Sequence, residues 1–340
     1  MPTDRRVTGT QPIRVLDNNV LEWFENKYSG FRSELEDLQK QFGFTRYIKY
    51  ICDEVPILCG EGGNQIPYVT VDEGQIAIHE TFLSYVWGLC YAFLVLFDEE
   101  INGPQTGKQP GHGKPLGFFR LKGYAMLDYA LSLVRGFNKW PADLPSPESH
   151  NNEDKYYVQK ANGIYVAAID FILCHELAHI ALGHLQKHKQ APYRQRGVSS
   201  RELKNLEDAA DKWALDRILG GICYPKRPLT NVGFGAIVGL GSLLLLNRNL
   251  TSQTHPDIND RIRSVLARLP IDPRDSPWGI AATFYFAWNN RFNSGLDFSS
   301  RYETYSALVE AIDSQLEPRK QLELNRRGKQ GAKERVWSLD

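Results

Sequence analysis

No Cys-x-x-Cys pair occurs among the five cysteines of this sequence, Cys52, Cys59, Cys90, Cys174 and Cys223. Their odd number and scattered spacing argue against a disulfide framework and against a thiolate metal site. An excess of charge of either sign is missing too. Forty Lys and Arg balance forty Asp and Glu over 340 residues. A chain that grips phosphate backbones carries a basic excess, so nucleic-acid binding is not expected as its main task. Met1 to Arg14 is polar, and no secretory signal is expected there. Reduced thiols and no signal together predict a cytoplasmic protein. No repeat with a period of 20–50 residues is found, which sets solenoids and propellers aside.

A long apolar run is also lacking. The two longest, Thr81–Phe97 with 17 residues and Val232–Leu246 with 15, fall short of the ~20 that span a bilayer. The second run contains Gly233, Gly235, Gly239 and Gly241. Both are read as buried core helices, with a membrane-associated protein as the alternative. What the chain does have is core-forming material. Hydrophobic residues make up 42% and aromatics 11%, enough to fill a substantial interior and argue against disorder.

Along the chain, residues 15–50 carry a helical pattern, and Val55–Val71 shifts to short β-prone pieces broken by Gly60, Gly62 and Gly63. A long apolar helix is expected over Ile76–Phe97, a Gly/Pro-rich loop over Asn102–Gly117, and a helix from Leu121 to about Phe137. That loop does not meet the phosphate-loop pattern G-x-x-x-x-G-K-[ST], and no strand leads into it. Trp140–Asp154, with three prolines, is the best boundary. Past Leu316 the chain turns polar. Residues 317–335 hold seven Lys/Arg against three Glu, a net +4, read as a solvated terminus or else an arm for an acidic partner.

The chemistry concentrates in AIDFILCHELAHIALGH. His175-Glu176-Leu177-Ala178-His179 is an H-E-x-x-H. Residues four apart on a helix lie about 40° apart around its axis, so both imidazoles face one point. Zinc accepts imidazole nitrogens, and two of them give half a tetrahedral shell. Glu176 lies beside the first ligand, where it can deprotonate a water on the metal and pass the proton to a leaving amine. With eight histidines in the chain, about 0.01 chance matches are expected. The flanks Ile169, Phe171, Ile172, Leu173, Ile180 and Leu182 are apolar. Polar side chains on so apolar a helix are costly unless paired or metal-bound, and a mutually satisfied histidine pair would not need the adjacent Glu.

A third ligand must come from elsewhere. The H-E-x-x-H-x-x-G-x-x-H pattern fails, because Leu182 and Leu185 stand where it needs Gly and His, and His184 is one residue out of register. A second helix is expected over Arg201–Leu219, with Ser199 and Glu202 as a capping box and Gly220-Gly221 as its stop. Its Glu207 would complete a shell of two His and one Glu, with Asp208 as a substitute. Asp211, one turn on, could accept the free ring N–H of a ligand histidine. Ala209 and Ala210 would let the two helices pack closely. Further on, Thr254-His255-Pro256-Asp257 starts another helix, capped by Thr254 or His255 and with Pro256 in its first turn. Its functional reading places His255 or Arg261 as a donor to a developing oxyanion.

H-E-x-x-H, then E-x-x-A-D, then H-P-x-x-x-x-R-I resembles the Glu-liganded zinc peptidases, the gluzincins, among them the soluble core of the HtpX-type membrane peptidases. The longer string HELAHIALGH, with DEGQIAIHETFLSYVWGLCYA upstream (Asp72–Ala92), is more similar to the Lit-type phage-exclusion peptidases. That likeness covers much of residues 70–270. It implies a cytoplasmic zinc endopeptidase in which His175, His179 and Glu207 bind Zn2+ and Glu176 is the catalytic acid/base. It further implies cleavage of a translation factor, elongation factor Tu, triggered by a phage product. The roles of His255 and Arg261 carry over from the HtpX-like pattern. His79-Glu80 could line the cleft or simply begin a buried helix.

The expected fold is mainly α with a small β element, a zincin-like core around the two motif helices. Residues 1–150 are expected to cover or extend the site, 151–316 to form the catalytic core, and 317–340 to form a basic tail. A non-catalytic zinc-stabilised binding module is the competing function.

Overall fold

Glu80–Leu96 is apolar on every side, and a helix of that kind is stable only where protein surrounds it. Every residue of this helix is indeed buried. The computed structural model describes residues 11–42, 48–51, 68–69, 75–107, 113–184, 199–220, 229–252 and 255–337. Over these, the chain is mostly helical with one small sheet. In order come α1 (Asp17–Glu25), α2 (Phe31–Phe42), β1 (Ile48–Ile51), β2 (Tyr68–Val69), β3 (Ile76–His79) and α3 (Glu80–Leu96). A short α4 (Gly103–Thr106) and α5 (Arg120–Ser132) lead to α6 (Lys155–Ala181) and α7 (Ser200–Gly220). The chain continues through α8 (Leu229–Leu244), α9 (Ile258–Arg268), α10 (Ser276–Phe292) and α11 (Tyr305–Trp337). The sheet order is β1-β3-β2, with β1 parallel and β2 antiparallel to β3.

α6 is the axis of the fold. It packs most extensively on α8, then on α7, α3 and α1. One cluster of buried side chains runs from Ile13 to Leu316, across residue 150 without a break. Two helical stretches, Glu80–Thr106 and Lys155–Ala181, are long and apolar enough to cross a membrane, and their apolar windows are 100% and 78% buried inside the fold. The glycines of the second apolar run now have a reason. A Cβ on Gly235 would lie 2.6 Å from the backbone carbon of Ala167, and one on Gly239 would lie 3.2 Å from the Phe171 ring. Glycine therefore lets α8 lie directly on the helix that carries the motif. Gly235→Ala adds about 1 kcal/mol of helix propensity. Overpacking against fixed backbone outweighs it, and a net loss of about 1–3 kcal/mol is expected in denaturant unfolding.

Several sequence expectations shift. The long helix read over Ile76–Phe97 starts as strand β3 and turns helical only at Glu80, because Ile76 and Ala77 pair between two strands. The pattern read as helical over 15–50 divides into α1, α2 and strand β1. The loop expected from Asn102 begins later. Phe97–Asn102 forms a widened helical turn and α4 follows, ended by Gly107 at φ 69°. The buried Glu99 then pins the loop by accepting the backbone N–H groups of Gly117 and Phe119. Most of Val55–Val71 lies outside the described residues, as do Gly221 and Thr254. The helix after His255 starts at Ile258, so Pro256 precedes it. Asp257 holds that corner instead, accepting from Lys204 and Lys320.

Over the described residues the chain beyond Leu316 continues as helix. α11 runs on to Trp337 through Pro318. Lys320, 7% exposed, reaches Asp257 and Asp260 at 3.1 and 2.9 Å. Glu323 accepts the backbone N–H groups of Leu250 and Thr251 and the Thr251 hydroxyl, at 2.9–3.1 Å. These bonds fasten the last helix to the segment that leads into His255.

Near the chain's start, Asp17 and Glu80 face each other in the interior. Glu80 accepts the backbone N–H of Gln11. Burial, aided by the Glu80 charge, pushes the Asp17 carboxyl up to about 7. Between about pH 4 and 7 the native state therefore holds a proton that the unfolded chain has released, so Asp17 costs stability as pH rises and the loss levels off above 7. Asp17→Asn is expected to raise the melting temperature at pH 8 relative to wild type, and to raise it by less at pH 5.

Candidate metal centre

α6 carries His175, Glu176 and His179, and α7 carries Glu207 and Asp211. The two helices pack side by side with Ala210 fully buried between them. The Nε2 atoms of His175 and His179 are 3.3 Å apart. His175 Nε2 lies 3.3 Å from one oxygen of Glu207, and His179 Nε2 lies 3.6 Å from the other. One donor atom from each residue thus falls within 4.8 Å of the rest, in a set that could hold a metal ion. A tetrahedral shell with bonds of about 2.0–2.1 Å has edges of about 3.3–3.4 Å. The two separations that share His175 Nε2 are close to that edge, while the 3.6 Å one runs to the other Glu207 oxygen, and two imidazoles with a carboxylate are an ordinary donor set for such an ion.

Behind the cluster stands a relay of charge. His175 Nδ1 is 2.9 Å from Asp211 Oδ1. Arg261, on α9 and 6% exposed, donates twice to Asp211 through Nε and Nη2, each at 2.7 Å. The fork geometry fixes the carboxylate, and the carboxylate in turn fixes the His175 ring. The structure therefore places Arg261 behind Asp211, with one nitrogen 4.0 Å from Glu207, and its hydrogen bonds are spent on Asp211. His255 sits at the rim, 52% exposed by its side chain, with Nε2 3.7 Å from Glu207 Oε1. Asp208 points to Lys212 at 2.6 Å on the outer side of α7.

The electrostatics fit one shared proton. Burial alone would discharge His175, but its hydrogen bonds to Asp211 and Glu207 prevail and push it up to about 10. Burial and the charge on His175 push His179 down to about 3. Against burial, the same imidazolium holds Glu207 down to about 2, and Arg261 with His175 holds Asp211 far below the usual carboxylate range. Glu176 is the exception among the acids. Burial pushes it up to about 7, despite the pull of His175. A metal ion bound here must displace the proton of His175, so affinity is expected to fall as pH falls.

Ser199 Oγ accepts the Glu202 N–H at 3.2 Å and starts α7, as the capping signature suggested. His79 is buried at the end of β3. One neighbour was missed by sequence reasoning. His184 Nδ1 lies 2.9 Å from His179 Nδ1. His184 is out of register for a three-histidine motif, and the Gly183-His184 pair just past the helix end is the signal the sequence carries for this contact.

A helical protein with a half-buried His-His-carboxylate site able to hold a metal ion is thus defined. The chain belongs to the Peptidase U49 family, whose profile matches residues 76–281, more than half of its length and all of these site residues. It is similar to a cell death peptidase of Escherichia coli (strain K12), with 27% identity over 202 residues. That match covers 58% of this chain and 64% of the relative, so the chain spans just under two thirds of the relative's length. No solved structure matches the chain.

Proposed function

We propose that this chain is a zinc-dependent endopeptidase with a zincin-like core, acting in the cytoplasm on a protein substrate. The observation that carries this reading is the convergence of one donor atom each from His175, His179 and Glu207 within 4.8 Å of one another. Membership of a peptidase family supports the same reaction class. His175, His179 and Glu207 would hold the metal, which when bound would polarise the scissile carbonyl and acidify water. Glu176 takes the proton from the attacking water and gives it to the leaving amine, and a carboxyl raised towards neutrality suits both steps. Asp211 and Arg261 keep the His175 ring oriented. His255, exposed at the rim, is the side chain best placed to meet the substrate.

Elongation factor Tu, with a phage product as trigger, is the substrate and partner pair to test first. Low basal activity is expected until such a partner binds, because an ungated peptidase would damage its own cytoplasm. The metal part of the reading has a direct check. Elemental analysis of purified protein should give about one zinc per chain, and Glu207→Gln should lose it at the first mild chelation. A preparation that neither contains nor takes up zinc would refute the reading.

A further inference from the structure

Each metal-facing histidine turns its other ring nitrogen to a different partner. For His175 that partner is the Asp211 carboxylate, itself held by Arg261. For His179 it is an imidazole. α6 ends at Ala181, and Gly183 adopts φ 68°, a left-handed backbone that reverses the chain at little cost only for glycine. The Gly183 N–H closes the turn on the Ile180 carbonyl at 3.0 Å. That reversal brings the His184 ring back against His179, with centroids 5.0 Å apart and planes at 65°. His184 is 3% exposed, so its contact is made away from water.

We propose that His184 is a positioning residue for His179, accepting a hydrogen bond at Nδ1 from the Nδ1–H of His179 and so presenting His179 Nε2 to the metal. The assignment of donor and acceptor follows from chemistry. A neutral imidazole that gives Nε2 to a metal carries its proton on Nδ1 and must donate there. At 2.9 Å from a second Nδ1, the only complementary arrangement is an acceptor nitrogen on His184, whose own proton then lies on Nε2. His179 is thereby held by a neutral acceptor and His175 by an anionic one. The two ligands differ in basicity, with His175 the stronger donor to the metal.

The metal part of this inference rests on the zinc reading above, and the hydrogen bond does not, so two measurements separate them. The first is a zinc competition titration of wild type, His184→Leu and His184→Gln. The leucine variant should bind zinc 10–100-fold more weakly. Glutamine, whose side-chain carbonyl can still accept, should stay within about threefold of wild type. Equal affinity in all three, or equal loss in both variants, would overturn the positioning role. Wild type that binds no zinc would overturn the zinc reading. The second measurement uses unsubstituted, metal-free protein labelled with nitrogen-15 in histidine. A scalar coupling between the Nδ1 nuclei of His179 and His184 across the hydrogen bond is expected, and its absence would overturn the proposal even if the leucine variant fails to fold.

Discussion

Glu176→Gln should lower substrate cleavage by about 10²–10⁴-fold while leaving zinc content unchanged and the melting temperature no lower than that of wild type. The substitution keeps the shape of the side chain and removes only its capacity to take a proton. Nothing in the structure gives Glu176 a packing task that glutamine could not perform. Its carboxyl is raised to about 7 by burial, the range in which one group can act first as base and then as acid near neutral pH. His175 and His179 keep their places in the variant because Asp211 and His184 hold them from behind. A variant that still cleaves at a tenth of the wild-type rate or better would show that Glu176 is not the proton carrier. Zinc retention with intact biological activity and no proteolysis would favour a binding module instead.

Lys27→Met should destabilise the protein by about 3–5 kcal/mol. Lys27 has no exposed surface, and its ammonium pairs with Asp170, also fully buried. The rings of Phe24 and Phe31 lie 5.2 and 5.6 Å from the charge. An exposed pair of this type would be worth about 1 kcal/mol or less. Here removal of one partner leaves Asp170 ionised inside the core, on α6 and five residues ahead of His175. The double variant Lys27→Met, Asp170→Leu should recover most of the loss, because it takes away both charges at once. Denaturant unfolding of the two variants decides the matter. A double variant as unstable as the single one would mean that Lys27 acts through packing and not through its charge.

The same pair marks where sequence reading stops. H-E-x-x-H was legible because its geometry is local, and four residues on a helix determine which side chains share a face. Glu207 and Asp211 were legible for the same reason, once a second capped helix had been found. Lys27 and Asp170 stand 143 positions apart, and neither carries a pattern that names the other. Glu323 is a similar case: in the sequence it is one acid in a basic stretch, and in the fold it caps the segment before His255. Strand β3 does not stand apart from α3 in the sequence, because Ile76–Ile78 is as apolar as most of the run that follows, and so short a stretch shows neither a period of two nor one of 3.6. The sequence offers His255 or Arg261 as a donor near the chemistry, and it does not show that Asp211 gives Arg261 two charge-assisted bonds at 2.7 Å, which determine where the guanidinium lies.

The proposed zinc ion, held by His175, His179 and Glu207 and used for peptide hydrolysis, can be tested at the substrate. Its most direct test maps new protein N-termini across a cytoplasmic extract in which the protein has been induced, with the phage trigger present. Three samples are compared: wild-type protein, the same protein stripped of metal, and stripped protein given back one equivalent of zinc. A small set of specific cleavages that vanish on stripping and return with zinc is expected. Cleavages that survive metal removal, or an extract in which no specific cleavage is found in any sample, would contradict the zinc reading.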